Sequence, residues 1–410
     1  MNLSFYIAKR YLFSKKKRNA INVISLISIL GVTVGVAALV VVLSVFNGFD
    51  HVIKSLINSF DPDIKITTVQ GKTFLPEDAG KTLIADLEGI ATVSEVLEEN
   101  SLVRYDEKQF IATIKGVDEN FIDVTGIDTM IREGDFILEQ QGKPVAVVGH
   151  GVAYSLRIGL NFLQPLVFYV PKRTGTYSMI NPENAFNRKA VFPSGVFSIE
   201  QNYDSRYILL PVEVVRELLE YENEVSALEI KLEDDADIRN LKEKIRGIAG
   251  ENFKVQDRYE QNEVFYRIMR SEKWATFMIL TLILIIASFN IIGSLTMLII
   301  DKKDDITTLK NLGASNGLIR NIFLMEGWMI SITGSFLGVF LGTLISLLQQ
   351  YFEIIKIGGS GTFVISAYPV DYQFTDIILV WGTILFIGFI AAYIPARKIS
   401  TADLSVHEEH

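Results

Sequence analysis

The sequence predicts a membrane protein in which four transmembrane α-helices carry a large α+β extracytoplasmic domain inserted between helices 1 and 2. Three observations carry that prediction. Of 410 residues, 49% are hydrophobic and only 21% charged, too apolar a balance for a fully soluble chain of this length. Four runs, at 20–46, 274–300, 322–348 and 377–394, are close to or above the ~20 mostly apolar residues that cross a bilayer. The charge is also lopsided: residues 47–273 hold 38 acidic against 26 basic side chains, leaving 10 acids and 13 bases elsewhere. The acidic excess behind a net charge of −9 therefore lies wholly in one polar segment.

Residues 1–19 form a basic, amphipathic leader in which Lys15, Lys16, Lys17 and Arg18 precede the first run. That run is much longer than the roughly 7–15 apolar residues of a secretory signal, and no small-x-small cleavage site precedes Asn47, so it reads as an uncleaved anchor. Lys and Arg number six before the first run, four in 301–320 and two after Ile394, with only Lys356 between the third and fourth runs. Positive residues stay on the cytoplasmic side, which puts both termini there, together with the loop 301–321 and the tail 395–410. Residues 47–273 and the loop 349–376 then lie outside.

The external segment alternates like half-buried strands at 64–69, 109–117, 190–198 and 225–232, with a fully buried run at 145–148. Helical spacing marks 77–87, 152–156, 212–221 behind Pro211, and 237–248, with a last strand at 253–258. Two compact α+β lobes fit this length. Between Pro171 and Arg206 the chain is rich in Asn, Pro, Gly and aromatics, most irregularly over 174–188. Tyr177, Met179, Ile180, Pro182 and Phe186 suit a protruding binding loop better than a solvated linker.

Enzyme chemistry finds little support. The chain has no cysteine, and His51, His150, His407 and His410 lack partners at metal-ligand spacing. No phosphate-binding Gly-rich loop ending in Lys-Ser/Thr exists; Gly358-Gly359-Ser360-Gly361 lacks the lysine. No serine sits in a G-x-S-x-G context. An acidic external mass would repel phosphates, so nucleic acid is not an expected partner.

Inside the spans, Gly31 and Gly35, and Gly334, Gly338 and Gly342, recur every four residues and strip one helical face to backbone. Such faces let helices approach closely in lipid. Packing within the chain and contact with a second copy both fit. Glu326, near Arg320 and Trp328, reads as an interfacial, solvated carboxylate. On the cytoplasmic side, Asp304 can cap a short helix that Gly313 ends, and Ser315 can cap the third span. Ile306, Leu309 and Leu312 recur every three residues on that helix, flanked by Asp304, Asp305 and Lys310. It could fill a groove on another protein or lie against headgroups.

Residues 287–292 (Ala-Ser-Phe-Asn-Ile-Ile), 301–315, the glycine-spaced third span and Tyr393-Ile394-Pro395-Ala396-Arg397-Lys398 together resemble the FtsX-like permease part of type VII ABC transporters, here 274–400. Ile24-Ser25-Leu26-Ile27-Ser28, Leu43 to Asp50, Lys115-Gly116-Val117-Asp118 and the Val148–Leu156 stretch are similar to LolC/LolE-type lipoprotein-releasing subunits with a MacB-like periplasmic domain. The resemblance implies a non-catalytic permease subunit in a bacterial inner membrane. It further implies that no cofactor is bound by the chain itself, that ATP and Mg are held by a separate LolD-like ATPase docking on 306–313, and that a second copy or a related membrane subunit completes the complex. The cargo it implies is a triacylated lipoprotein, drawn from the membrane lipid and passed to a LolA-like carrier. Val42, Val45, Phe46 and Phe49 on the first span and Phe277, Leu280, Leu284 and Phe289 on the second are the expected acyl-cavity residues, and the 174–188 loop the expected carrier contact. An efflux or mechanotransmission subunit like MacB, and a regulator of wall hydrolases like FtsX, share the four-span plan. A membrane-anchored sensor without an ATPase is a third class.

Overall fold

The computed structural model describes residues 20–160, 164–173, 185–356 and 367–401, with Ser4, residues 6–8 and Arg10. The chain forms two compact units, Met1–His51 with Ile268–His410, and Val52–Arg267. Helix α1 (Ala20–Asn58) is 39 residues long, about 58 Å at 1.5 Å per residue, against a hydrocarbon core of about 30 Å. The apolar run marks only the part suited to lipid. Beyond Phe46 the helix continues through a polar stretch that hydropathy alone does not assign to a helix.

The unit Val52–Arg267 is built on one sheet. Its strands are β1 (Ile64–Thr68), β2 (Ile90–Tyr105), β3 (Lys108–Val117), β4 (Ile131–Gly134), β5 (Glu139–Gln140), β6 (Lys143–Gly149), β7 (Leu166–Pro171), β8 (Phe186–Phe197), β9 (Tyr207–Pro211), β10 (Ala227–Leu232) and β11 (Phe253–Asp257). Among the described residues the order is β11-β1-β10-β2-β3-β9-β6-β8-β4, with β5 on β6 and β7 joining β2 to β8. The expected pair of lobes is thus a single hydrogen-bonded sheet. The reason is β2, whose 16 residues pair with β10 at one end and with β3 and β7 at the other. Glu95, Glu98 and Glu99 interrupt its apolar alternation and hide it from pattern reading. Each meets a cation from a neighbouring element: Glu95 with Lys81 and Arg216, Glu98 with Lys65, Glu99 with Lys72.

Short helices α2 (Lys81–Ala85), α3 (Phe121–Val124), α4 (His150–Leu156), α5 (Gln201–Asp204), α6 (Val212–Leu219), α7 (Ile238–Ala249) and α8 (Arg258–Gln261) connect and cover the strands. Asp237 caps α7 by accepting from Arg239 and Asn240 N–H, and Asp257 and Glu260 close a capping box on α8. Apolar residues of β3, β6, β9 and α6 form one core, and those of β1, β10 and α7 another.

Helix α9 (Glu263–Asp301) also outruns its apolar stretch, beginning eleven residues ahead of Trp274. It is followed by α10 (Lys303–Asn311), α11 (Asn316–Phe352) and α12 (Phe374–Thr401). Among the described residues four helices are long and apolar enough to cross a membrane. Their buried sides share one core that includes Val36 and Leu39 of α1, Leu295 of α9, Phe323 and Ile330 of α11 and Ile384 of α12.

Candidate functional site

The segment expected to face the cytoplasm at 304–313 is a helix, α10, that starts two residues earlier than its sequence suggests. Lys302, not Asp304, is the N-cap, and Asp304 and Asp305 sit in the first turn, where their charge opposes the positive end of the helix dipole. Lys302 Nζ lies 3.1 Å from Asp305 Oδ2. At the other end Gly313 has φ +90°, and Ala314 N–H donates to Leu309 O while Gly313 N–H donates to Lys310 O. This is a Schellman stop, for which a side chain at Gly313 would be strained. Ser315 caps α11 by accepting from Leu318 N–H, as expected.

Ile306, Leu309 and Leu312 do not share one surface. Ile306 is buried in the core of the helical bundle, Leu309 is half-buried, and Leu312 is 80% exposed. Spacing by three falls short of the 3.6-residue turn, so each step walks about 60° around the helix. Ile306 anchors α10 in the bundle, whereas Leu312 stands exposed.

The glycine faces resolve the choice left open by their spacing. A Cβ at Gly334 would lie 2.9 Å from Val32 Cβ, one at Gly338 2.6 Å from Val36 Cβ, and one at Gly342 2.8 Å from Val40 Cβ. The three glycines of α11 are filled by a valine ridge of α1 within the same chain, and Thr33 Oγ1 donates to Gly334 O across the contact at 3.2 Å. Gly31 and Gly35 face α9 more loosely, next to Asn290 and Leu284 at 3.5 and 3.8 Å. Ser28 Oγ donates to Asn290 O at 3.0 Å on the same side. Replacing Gly338 with Ala should cost about 1–3 kcal/mol and lower the melting midpoint in detergent. Gly382→Ala, where nothing lies within 4 Å, should leave it unchanged.

Glu326 is not the solvated residue its position suggested. It is 1% exposed, and its Oε2 has no hydrogen-bond partner among the described residues. It lies between Phe323 and Ile330 on the face of α11 that enters the core. Gly327 beside it lets Ala392 of α12 approach so closely that a Cβ there would fall 2.6 Å from the alanine's.

Within Val52–Arg267 the residues following α1 meet a buried ionic cluster that the sequence did not reveal. Lys115 Nζ lies 2.9 Å from Glu229 Oε1, and Lys65 Nζ lies 3.1 Å from the same oxygen. Glu98 completes the set, 3.4 Å from Lys65 and 3.7 Å from Lys115. The Lys115 ammonium lies over the Phe60 and Phe121 rings at 4.4 and 4.8 Å, the two rings standing nearly perpendicular to each other. Burial opposes the charge on Glu98, but Lys65 and Lys115 outweigh it and hold its pKa below the ordinary value. Nearby, Asp61 accepts from Tyr203 Oη and Asn262 Nδ2. Burial prevails at Asp61 and raises its pKa despite those bonds. Asp61 thereby ties the chain just after α1 to the chain just before α9.

A family model for the MacB-like periplasmic core domain matches residues 25–248, more than half of the chain. The chain belongs to the MacB-like periplasmic core domain family. A second model, the FtsX-like permease C-terminal domain, matches residues 277–404 and so takes in α10, α11 and α12. Among curated relatives, a "Lipoprotein-releasing system transmembrane protein LolE" of Haemophilus influenzae is 25% identical over 97% of both chains. A "Lipoprotein-releasing system transmembrane protein LolC" of Neisseria meningitidis is also 25% identical, again over 97% of both chains. Of solved structures, the periplasmic region of MacB from Actinobacillus actinomycetemcomitans is 16% identical with a TM-score of 0.36, covering 52% of this chain and 97% of that one.

In this MacB-like chain the expected acyl-cavity residues fall into two groups. Leu284 is buried in the bundle beneath Gly35. Val42 and Phe289 are exposed, and Val45, Phe46, Phe49, Phe277 and Leu280 are partly so. Of the expected carrier contacts, Tyr177, Met179, Ile180 and Pro182 lie outside the described residues. Phe186 is the first residue of β8, exposed and paired with Pro171 of β7. Part of what sequence reading left irregular is therefore a β-hairpin.

Proposed function

We propose that this chain is a membrane subunit of an ATP-driven transporter that lifts acylated lipoproteins out of the inner membrane for a soluble periplasmic carrier. The reading rests on one observation above others: similarity to the LolE and LolC proteins runs through 97% of both chains, across both units. An efflux subunit or a hydrolase regulator would share the four-span plan without that full-length similarity to lipoprotein-releasing proteins.

In this reading the termini and α10 face the cytoplasm and Val52–Arg267 the periplasm. ATP and Mg are held by the partner ATPase, and a second copy or a related subunit completes the membrane assembly. α10 receives the stroke of the ATPase: Ile306 transmits it to the bundle, and Leu312 is the contact. Val42, Val45, Phe46, Phe49, Phe277, Leu280 and Phe289 would shelter acyl chains, and the hairpin of β7 and β8 with its 174–184 connection would meet the carrier. The task requires energy input. At ~0.8 kcal/mol per CH₂, three chains of about 14 carbons come to about 34 kcal/mol of transfer free energy, and a barrier of only about 30 kcal/mol already limits spontaneous escape to about one event in decades.

The test is reconstitution with the co-purified ATPase in proteoliposomes carrying an acylated protein. ATP-dependent appearance of that protein on a soluble carrier is the expected result. A preparation that hydrolyses ATP but releases no acylated protein, and that instead retains a wall hydrolase or an outer-membrane tunnel protein, overturns the reading.

A further inference from the structure

Three helices of the bundle meet at one carboxylate where their apolar runs stop. Asp376, in the first turn of α12, accepts a hydrogen bond from Asn47 Nδ2 of α1 at 2.7 Å and pairs with Lys273 Nζ of α9 at 3.0 Å. Both contacts are made by the same oxygen, Oδ2. Asn47 is 3% exposed. The segment leading into α12 lies across α1 here: Asp371 N–H donates to Ser44 O at 2.9 Å, and Tyr368 meets the Phe49 ring edge-on at 5.8 Å. Gly48 makes this crossing possible, since a Cβ there would come within 2.4 Å of the Pro369 backbone.

The helices meeting at Asp376 are not equally held. α1 is locked into α11 along three successive glycines at Cβ distances shorter than any real contact, so those two helices can separate only by breaking a close-packed seam. α9 has no such seam. Only 17% of its most apolar stretch is buried, against 39%, 39% and 33% for α1, α11 and α12. Its facing glycines, Gly31 and Gly35, meet their neighbours at ordinary contact distance. α9 is the loosely packed member, and at its outer end the tie to the rest of the bundle is polar. A packed apolar seam resists opening in small steps, whereas a shared carboxylate is made and broken by a small displacement.

We infer that Asp376 is a positioning residue for transport, a latch that holds the outer end of α9 to α1 and α12 at rest and lets go when the ATPase drives the cycle. Its release frees α9 to swing from the α1–α11 pair, opening the seam along which Gly31 and Gly35 face Asn290 and Leu284. The inference that this opening serves acyl chains rests on the lipoprotein-release reading; the latch motion does not.

Because the chain has no cysteine, the latch can be probed by a single thiol pair. Glu272→Cys with Thr375→Cys, which flank Lys273 and Asp376 and leave the latch itself in place, would be bridged by a bifunctional methanethiosulfonate in the full chain with its ATPase. Bridging yield in the resting state should exceed that in the vanadate-trapped state several-fold, with no cargo present; equal yields overturn the latch. The bridged complex should lose lipoprotein transfer at least ~10-fold and recover it on reduction, whereas transfer at the unbridged rate overturns it. Asp376→Glu should support transfer near the wild-type rate, while Asp376→Asn should raise cargo-independent ATP hydrolysis; identical behaviour of the two variants counts against a charge-held latch. If the unmodified complex transfers no lipoprotein, the release reading fails while the state-dependent bridging still judges the latch.

Discussion

Leu312→Asp is expected to weaken docking of the ATPase by at least ~30-fold, the equivalent of about 2 kcal/mol at an interface hot spot, with loss of ATP-driven transfer and an unchanged melting midpoint. The geometry behind this is the division of labour on α10. Leu312 is its C-cap and protrudes, 80% exposed, beside the left-handed Gly313. An aspartate there is solvated in the free subunit and costs the fold nothing. It is desolvated only when a partner closes over it, where an unpaired carboxylate is strongly unfavourable. Ile306→Asp provides the contrast, because Ile306 is buried in the bundle core: that variant should lose stability and ATPase binding together. Leu309→Asp, half-buried, should fall between. The readouts are co-purification of the ATPase and thermal melting of the subunit in detergent. Full ATPase retention by Leu312→Asp would remove α10 as the docking element.

How much of this was legible beforehand depended on the range of the interaction. Local signals served well. Ser315 caps α11, Pro211 precedes α6 and Gly313 ends α10, as their sequence positions suggest, whereas Lys302 displaces Asp304 as the cap of α10. Apolar runs likewise located the stretches suited to lipid but not the ends of the helices, since Glu263 to Lys273 is helical without being apolar. The long-range features were hidden in proportion to their dependence on distant partners. β2 reads as polar because its glutamates are matched by Lys65, Lys72, Lys81 and Arg216, none of which neighbours it in sequence. The glycine spacing announced a close approach, yet only the valines at 32, 36 and 40 show that it is met within the chain. Glu326 looked interfacial by position, and its face, set by Phe323 and Ile330, turns it inward. Nothing in either flanking sequence pairs Asp376 with Asn47, 329 positions away, although Asn47 lies in the Leu43–Asp50 stretch that carries the family resemblance.

The same range argument explains why the two units are held by different chemistry. In lipid, backbone approach and van der Waals contact replace hydrophobic burial as the driving force, and the bundle accordingly relies on α1 against α11, with few hydrogen bonds between side chains among the described residues. The sheet-bearing unit folds in water, and there the sequence can bury charge provided that it is matched. Its cluster of two lysines and two glutamates is internally neutral.

Breaking that cluster gives the second large effect. Glu229→Gln is expected to destabilise the Val52–Arg267 unit by about 3–5 kcal/mol, because it strands buried charge rather than because the pair itself is worth that much. Glu229 is fully buried and forms ion pairs with both lysines, so its loss leaves Glu98 as the one carboxylate of the cluster for Lys65 and Lys115. Lys115→Met should cost less. It matches the stem in volume against Phe60 and Phe121, and Glu229 keeps Lys65 at 3.1 Å. The double variant Lys115→Met with Glu229→Met should be more stable than Glu229→Gln, since it removes one charge of each sign and leaves the Lys65–Glu98 pair in place. All three tryptophans lie outside this unit, so their fluorescence reports on the bundle; unfolding of the sheet is to be followed by far-ultraviolet circular dichroism and by proteolysis within residues 52–267. If Glu229→Gln unfolds within ~0.5 kcal/mol of wild type, the range for an ordinary surface change, the cluster is not a structural keystone. A double variant less stable than Glu229→Gln would instead mean that the charges contribute through each other more than they cost to bury, the opposite of the balance argued for this site.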